Sequence, residues 1–202
     1  MRIELSPNSW LDYDPAFLPA GEAERVFARV REELAWEQRD VVIFGRRIPQ
    51  PRMIAWGGAP PYRYSGQTLE PRALTPLLAA VLSRARDHAN EPFNHVLVNR
   101  YRDGRDSMGM HADDERELGP APVVATLSLG ATRRFVIARR RGAAGDRHTV
   151  ALASGSLLVM RGACQSEFRH GLPRDAAAAG ERISLTFRTI TEATAARAGD
   201  ES

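Results

Sequence analysis

The sequence predicts an α+β fold that is mainly β: a double-stranded β-helix, or jelly roll, with supporting helices near the N-terminus. Two observations carry this expectation. Hydrophobic residues recur at helical spacing in two segments of the first half, and from Phe93 onward their spacing changes to two. The chain has 202 residues, of which 43% are hydrophobic, and this is enough to bury a core and favours one structural domain.

Two amphipathic helices are expected before residue 93. After Pro19, apolar residues follow one another at intervals of three and four, at Ala23, Phe27, Val30 and Leu34. A second helix is expected where a threonine can act as the N-cap and a proline fits the first turn. Its cap, first residue and apolar face are Thr75, Pro76, Leu77, Leu78, Val81, Leu82 and Ala85.

The second half of the chain is expected to form at least six short strands. Their sequences are HVLVNRYR, VVATLSLG, RRFVIARRR, HTVALAS, GSLLVMRG and ERISLTFRTI, and Gly, Asp or Ala-Gly turns separate them. Strands with helices only in front of them indicate an antiparallel sandwich or jelly roll whose helices cover one face. Residues 46–66 are rich in Pro, Gly and aromatics, so we expect a loop-and-hairpin region that serves recognition rather than the core.

Composition restricts the classes of protein that fit this chain. No segment approaches the roughly 20 apolar residues of a membrane helix, and the first residues lack the charged-then-apolar order of a secretory signal. The single cysteine, Cys164, excludes an intrachain disulfide and is expected to be a small buried thiol. We therefore expect a cytoplasmic monomer without membrane contact.

The positive charge of the chain is carried by arginine, although the net charge is only +3. Guanidinium groups suit phosphate, so nucleic acid is one candidate partner. The alternative is that these side chains form a solvated strand edge and a hairpin tip. The clustered arginines are Arg133, Arg134, Arg139, Arg140, Arg141 and Arg147.

Three residues are candidate ligands of a metal ion. His111 and Asp113 are two positions apart, so in an extended conformation both side chains project to the same side. His170 follows one predicted strand and precedes the last, whereas the other histidines fall on a helix, a strand start and a charged hairpin. Two imidazoles and one carboxylate on one face of an octahedron leave three positions open, the arrangement of non-haem Fe(II) oxygenases. A His-x-Asp tripeptide also arises often by chance, so the motif alone is a weak signal.

The last predicted strand strengthens the metal hypothesis. In ERISLTFRTI, Arg182 and Arg188 share one face with Ser184 and Thr186, and apolar residues occupy the other face. Two inward-facing arginines would bury unpaired charge unless an anion lay between them. Because six residues span about 20 Å of strand, the two long side chains must converge on a ligand that lies between them. A dicarboxylate, which has a charge at each end, would fit this position. The alternative is that both arginines face solvent.

Several motifs of the chain together resemble the AlkB family of Fe(II)/2-oxoglutarate-dependent nucleic-acid dealkylases: NRYRDGRDSMGMHADDE, HGLPR and RISLTFR. FGRRIPQPRMIAWGG and PYRYSG are similar to the nucleotide-recognition region of the branch with animal nuclear DNA-repair homologues. The resemblance implies a DNA oxidative demethylase that uses Fe(II), 2-oxoglutarate and O2. It also implies an N-terminal helix and nucleotide-recognition region (1–66), a helix plus jelly-roll catalytic core (67–192) and a disordered tail (193–202), within one structural domain.

The resemblance implies that His111, Asp113 and His170 ligate the iron. Arg182 would hold the distal carboxylate of 2-oxoglutarate, and Arg188 would lie near its metal-bound end, because bidentate Arg–carboxylate pairs are strong and directional. One departure is a serine in the last strand where the family usually has an asparagine, so one contact is shortened or replaced by water. The residues implied to bind 2-oxoglutarate are Asn99, Tyr101, Arg182, Ser184, Thr186 and Arg188.

The resemblance also implies how a damaged base is held. A base inside a duplex must be extruded, and Tyr62 and Tyr64 could then stack on it. Phe44 resembles an apolar finger that fills the gap left in the stack. Asp114 could accept a hydrogen bond from an exocyclic amine or offset the positive charge of a methylated adenine or cytosine, and Arg52 could contact a phosphate or the pocket. For the aromatic residues, the alternative is an ordinary core or rim position. The residues implied to contact the substrate are Phe44, Gly45, Arg46, Arg52, Tyr62, Tyr64 and Asp114.

The implied reaction is the oxidation of N-alkyl groups, as in 1-methyladenine and 3-methylcytosine of DNA or RNA, with release of formaldehyde, succinate and CO2. Two alternatives stay open. One is an oxygenase of the same fold that hydroxylates a protein or small molecule, which the modest net charge would suit. The other is a metal-stabilised nucleic-acid-binding module without catalysis. The aromatic hairpin argues against the first, and the anion site between Arg182 and Arg188 argues against the second.

Overall fold

The computed structural model describes residues 1–43, 45–64, 67–141, 147–178 and 180–191, with the backbone alone at residues 42, 43, 63 and 64. Two expectations lie outside these residues: the finger residue Phe44 and the disordered tail (193–202). Within the described ranges, no helix is both long enough and apolar enough to cross a membrane.

The described residues contain three α-helices and fifteen strands. The helices are α1 (Ala20–Glu33), α2 (Pro76–Ala89) and α3 (Cys164–Glu167). The strands are β1 (Arg2–Ser6), β2 (Ser9–Asp14), β3 (Asp40–Ile43), β4 (Arg46–Pro49), β5 (Met53–Gly58), β6 (Tyr62–Tyr64), β7 (Gln67–Leu69), β8 (His95–Tyr101), β9 (Met108–His111), β10 (Val124–Gly130), β11 (Arg133–Arg139), β12 (Arg147–Leu152), β13 (Leu157–Gly162), β14 (Phe168–Leu172) and β15 (Arg182–Arg188).

Two antiparallel sheets form the body of the fold. The large sheet has the order β1-β2-β13-β10-β15-β8-β5, and the small sheet has the order β12-β11-β14-β9. From β8 onward the chain passes back and forth between them, so that β8, β10, β13 and β15 lie in the large sheet and β9, β11, β12 and β14 in the small one. This is the strand order of a jelly roll, and the predicted mainly β fold class is confirmed.

Both predicted helices form, and they cover the outer face of the large sheet. The Thr75 Oγ1 accepts a hydrogen bond from the Leu78 N–H at 3.2 Å, so α2 has the expected cap, and Asn90 ends it in the left-handed conformation. The apolar faces of α1 and α2 pack into one core with the outward-facing residues of β8, β10, β13 and β15. The inner faces of these strands are therefore turned toward the small sheet.

Two segments differ from the sequence expectations. The first fourteen residues form β1 and β2, which were not predicted and which extend one edge of the large sheet. The expectation that residues 46–66 stay out of the core is wrong for β5, a buried strand at the other edge. Glycine and proline residues around this strand suggested a loop. Gly58 is needed there because its φ is 137° and a Cβ would lie 2.6 Å from the carbonyl oxygen of Asn94.

Gly130 ends β10 with a φ of 81°, and a Cβ there would lie 2.4 Å from the carbonyl oxygen of Glu181. We expect Gly130→Ala to lower the free energy of unfolding by about 1–3 kcal/mol, because this backbone region disfavours side chains. Denaturant unfolding measures the change. Gly109→Ala is the control, since nothing lies within 4 Å of its Cβ position, and it should change stability by less than about 0.5 kcal/mol. Equal losses would contradict this account.

Candidate metal and co-substrate site

Strands β9 and β14 bring the two candidate histidine ligands together. His111 ends β9 and pairs directly with His170 of β14, and their ring centroids are 4.3 Å apart. Asp113 follows β9 and is buried. The donor atoms of the three side chains all lie within 4.8 Å of one another. His170 was expected between strands but lies within one, and the register of that strand fixes its position against His111.

Burial and neighbouring charges favour the metal-binding forms of His170 and Asp113. Burial lowers the pKa of His170 to about 3, so its imidazole is neutral. The His111 Nδ1 lies 2.9 Å from the Gly109 carbonyl oxygen, which can only accept a hydrogen bond, so this contact favours the tautomer whose Nε2 offers its lone pair to a metal. Burial by itself would raise the pKa of Asp113, but Arg188 and the two imidazoles outweigh it and hold the pKa at about 2.

The atoms around Asp113 fit a bound cation. The Asp113 Oδ1 accepts a hydrogen bond from the Arg188 Nη2 at 2.6 Å. The Oδ2 is buried without a hydrogen-bond partner in the described part of the chain, and it lies 3.6 Å from the His170 Nε2. A buried carboxylate oxygen without a donor is costly unless a metal binds it. Two histidines and one carboxylate are the ligands with which oxygenases hold Fe(II) while leaving positions for co-substrate and dioxygen.

A glutamine that the sequence did not single out holds the backbone of Asp113. Gln165 lies buried in α3, and its Oε1 accepts a hydrogen bond from the Asp113 N–H at 3.0 Å. Its amide nitrogen donates a hydrogen bond to the sulfur of Met160 at 3.6 Å. Gln165 is therefore a positioning residue for the metal ligand. A lone glutamine carries no sequence signal, because only the fold brings residues 113 and 165 together.

We expect Gln165→Leu to weaken metal binding by about tenfold or more, because groups that orient metal ligands typically contribute this much. Calorimetric titration of the apoprotein with Co(II) measures the affinity without turnover. Gln38→Leu is the matched control, since the Gln38 amide bonds to the carbonyl of Gln50, away from the three ligands. Unchanged metal affinity in the Gln165 variant would contradict the positioning role.

A cavity between the two sheets runs from the histidine pair to the inner face of β15. Arg182 and Arg188 are each 2% exposed, so both face inward as predicted and the solvent-facing alternative is excluded. The residues between them on β15, Ser184 and Thr186, line the cavity. The other lining residues are Asn99, Tyr101, Met108, His111, Thr126, Phe135, His170, Gly171, Leu172 and Arg182. Of these, Met108, Thr126, Phe135, Gly171 and Leu172 were not singled out in the sequence.

Arg182 is a buried cation without a carboxylate partner among the residues that the structure describes. Its Nη2 donates to the Ser128 Oγ at 3.0 Å, whereas Nε and Nη1 have no hydrogen-bond partner in the described ranges. Burial lowers its pKa to about 10, and the nearby Arg133 adds to this effect, but Arg182 stays charged at neutral pH. A dicarboxylate that reaches from the metal to Arg182 would supply the missing acceptors.

The metal end of the cavity is held by a second set of polar contacts. Burial opposes the charge of Arg188, but Asp113 outweighs it and raises the pKa of Arg188. Asn99 lies opposite Ser184 on the neighbouring strand and accepts a hydrogen bond from the Arg52 Nε at 3.0 Å. Arg52 is itself buried. Of its two expected roles, a pocket contact fits this position and an exposed phosphate contact does not.

Tyr62 does not have the open ring face that stacking on a base requires. It is 0% exposed, its ring packs edge-on against His95, and the Arg188 guanidinium lies 5.5 Å from the ring centroid. The expectation that Tyr62 stacks on a base is corrected: in this structure it is a core residue beneath the site. For Tyr64 only the backbone is described, as the end of β6.

The remaining substrate candidates lie at the surface. Gly45 has a φ of 75° in the turn between β3 and β4, and Arg46 is exposed at the start of β4. Phe44, just before them, lies outside the described residues. Asp114 is exposed and accepts a hydrogen bond from the Arg140 Nη2 at 2.6 Å. Strands β3 and β4 pair as a hairpin around this turn, while Asp114 is paired with an arginine rather than turned toward the cavity.

Glu115 is a half-buried carboxylate at the site that the sequence did not single out. Its Oε2 is buried and has no hydrogen-bond partner among the described side chains and backbone. Burial raises its pKa, Asp113 adds to this, and Tyr62 interacts with the same carboxyl group. The HADDE segment contains two successive acidic residues after Asp113, namely Asp114 and Glu115. Residue spacing does not tell which of them turns inward, because the strand has already ended.

Comparison with known proteins gives one consistent result. The model of the 2OG-Fe(II) oxygenase superfamily matches residues 11–188. The chain is 37% identical over 211 residues to alpha-ketoglutarate-dependent dioxygenase alkB homolog 3 of Rattus norvegicus, covering 100% of this chain and 72% of that protein. It is 38% identical over 184 residues to DNA oxidative demethylase ALKBH2 of Homo sapiens, covering 84% of this chain and 69% of that protein.

The solved structure of OsALKBH1 is also similar, with a TM-score of 0.68 and 18% identity, covering 93% of this chain and 100% of that one. This likeness agrees with the fold described above. The chain belongs to the 2OG-Fe(II) oxygenase superfamily and, within it, to the AlkB family of dioxygenases, which use Fe(II), 2-oxoglutarate and O2.

Proposed function

We propose that the protein is a DNA oxidative demethylase that removes alkyl groups from base nitrogens, as in 1-methyladenine and 3-methylcytosine. The observation that carries this proposal is the extent of the similarity. For alkB homolog 3 it runs over the whole chain, so it includes the β3–β4 and β6–β7 hairpins as well as the oxygenase core. A relative named DNA oxidative demethylase matches 84% of the chain. RNA is a second substrate within the same proposal.

The cofactors supply the oxidation: one atom of O2 enters succinate as 2-oxoglutarate loses CO2, and the other is inserted into a C–H bond of the alkyl group. The hydroxymethyl group then leaves as formaldehyde, and the base nitrogen regains its lone pair. The chain's own residues position the reactants. Arg182, which the Ser128 hydroxyl holds by a hydrogen bond, would receive the distal carboxylate, and Arg188 holds the Asp113 Oδ1 so that Oδ2 stays available to a metal.

Glu115 discriminates between alkylated and ordinary bases in this proposal. Methylation at N1 of adenine or N3 of cytosine gives the base a positive charge. A half-buried carboxylate beside the iron ligands can offset that charge and accept a hydrogen bond from the exocyclic amine. The unpartnered Oε2 of Glu115 supports this role within the described residues. The base must leave the stack to reach this depth, and the exposed Arg46 on the β3–β4 hairpin is placed to contact the backbone.

Formaldehyde release from oligonucleotides with one 1-methyladenine or 3-methylcytosine tests the proposal. With Fe(II), 2-oxoglutarate and O2 present, we expect formaldehyde and succinate in equal amounts, and comparison of single strands, duplexes and RNA ranks the substrates. Reactions without 2-oxoglutarate are the control. If 2-oxoglutarate is consumed but no methylated oligonucleotide yields formaldehyde, the nucleic-acid substrate is wrong while the oxygenase assignment stands.

A further inference from the structure

An arginine-rich cleft lies beside the iron site, where β11 and α3 both end. Its volume of about 540 Å³ leaves room for the backbone of a nucleic-acid strand. Four of its six lining side chains carry guanidinium groups, and only one carries a carboxylate. The lining residues are Arg139, Arg140, Arg141, Ser166, Glu167 and Arg169.

The positive charge of the cleft is not balanced by its own carboxylate. The Arg139 Nη2 is 3.9 Å from the Glu167 Oε2, an oxygen that already accepts hydrogen bonds from two serine hydroxyls. Arg141 and Arg169 are exposed and form no ion pair with any residue that the structure describes. Planar guanidinium groups bind phosphate oxygens through paired hydrogen bonds. These two arginines are therefore placed to bind one phosphate each.

Arg140 connects the cleft with the iron site. Its Nη2 is 2.6 Å from the Asp114 Oδ2, and its Nη1 donates to the Gln165 carbonyl at 3.3 Å. Asp114 directly follows Asp113, whose N–H is bound by the Gln165 side chain. The same guanidinium group thus lines the cleft and neutralises a carboxylate next to the metal ligand.

We propose that the cleft binds two phosphates of the strand that carries the target base, and that Arg140 then exchanges Asp114 for a phosphate. This rests on the proposed function. Partly exposed ion pairs such as Arg140–Asp114 contribute only about 0.2–1 kcal/mol, whereas hydrogen bonds from arginine to phosphate are among the strong ones. The exchange frees Asp114 to attract a cationic base only when a polynucleotide is bound. A nucleoside, which has no phosphate, meets a neutralised carboxylate.

Salt-dependent binding of an unmethylated single-stranded 11-nucleotide probe tests the cleft. By fluorescence anisotropy we expect Arg141→Gln/Arg169→Gln to bind about tenfold more weakly, and its slope of log affinity against log salt to fall by about 1.4, because each phosphate contact contributes about 0.7. Arg25→Gln/Arg29→Gln removes the same charge from exposed positions on α1 and should keep the wild-type slope. Equal slopes for the wild type and the cleft variant would overturn the proposal.

A double-mutant cycle on the same probe tests the exchange at Arg140. Asp114→Asn releases Arg140, so we expect it to raise the affinity for the probe by about fivefold in the wild-type background. In the Arg140→Gln background the same change should raise it by less than about twofold, because the competition has been removed. Equal gains in both backgrounds would mean that Arg140 does not exchange partners.

Activity separates a failure of the cleft from a failure of the proposed function. We expect the wild type to prefer an 11-nucleotide strand with one 1-methyladenine over the nucleoside 1-methyldeoxyadenosine, and the cleft variant to lose most of this preference. If the wild type releases formaldehyde but the cleft variant prefers the strand over the nucleoside as strongly as the wild type does, only the cleft proposal is overturned. No formaldehyde from either substrate overturns the proposed function, and the cleft proposal, which rests on it, falls too.

Discussion

Asp113→Ala is expected to abolish formaldehyde release from methylated oligonucleotides and to reduce metal binding below the detection limit of calorimetric titration. The substitution removes one of three candidate ligands, and it also removes the counterion of Arg188, which is 2% exposed. A buried guanidinium left without its carboxylate costs about 3–5 kcal/mol. The apoprotein should therefore unfold at a lower denaturant concentration than the wild type.

A second variant separates the two effects of losing Asp113. Asp113→Ala/Arg188→Met removes both charges, so we expect it to regain much of the lost stability, because replacing a buried ion pair by apolar groups is often neutral. It should still fail to bind metal and to release formaldehyde. Full activity of Asp113→Ala with iron would contradict the assignment of the ligands, and failure of the double variant to regain stability would contradict the account of Arg188.

Arg182→Met is expected to raise the KM for 2-oxoglutarate by about 100-fold or more, since bonds between a charged donor and a carboxylate contribute about 1.5–3 kcal/mol each. The stability of the apoprotein should be unchanged or higher, because a buried cation without a carboxylate among the described residues is removed. Anaerobic titration of the Fe(II)-loaded variant with 2-oxoglutarate should show the metal-to-ligand absorption band only at much higher concentrations than for the wild type.

Arg133 provides the matched control for Arg182. It is equally buried at 2%, but its guanidinium donates to the carbonyl oxygens of Asp103, Asp106 and Pro173 at 2.8–3.1 Å. Arg133→Met removes all three of these hydrogen bonds, so we expect it to lower the free energy of unfolding by about 1–3 kcal/mol. If Arg182→Met loses as much stability as Arg133→Met, the native fold depends on Arg182. The interpretation that Arg182 serves to bind 2-oxoglutarate rather than to stabilise the fold would then be wrong.

The parts of the molecule that the sequence predicted correctly are those in which periodicity and burial agree. In β15 every second residue belongs to the outer core, so the strict alternation placed Arg182 and Arg188 on the inner face before their partners were known. The cap at Thr75 is similarly local, because it depends on a threonine, a proline and the backbone three residues away. Both predictions needed no information from distant parts of the chain.

The parts that could not be predicted depend on contacts between residues far apart in sequence. Glycine and proline residues around β5 suggested a loop, and the close approach of the Asn94 carbonyl oxygen to Gly58 accounts for one of these glycines. Gln165 acts on Asp113 across 52 positions of sequence. The inward turn of Glu115, rather than Asp114, is decided by the conformation of the chain after β9, for which periodicity gives no rule.

Strand β9 has only four residues and lies at the free edge of the small sheet, beside β14. Edge strands of this length are held by few hydrogen bonds and open easily. His111 of β9 and His170 of β14 would both hold the iron, and a bound metal would therefore cross-link these neighbouring strands. Metal binding and the pairing of β9 with β14 are thermodynamically linked, because each favours the other. Amide hydrogen exchange in β9 should slow when metal binds. The catalytic centre then also stabilises the edge strand that carries one of its own ligands.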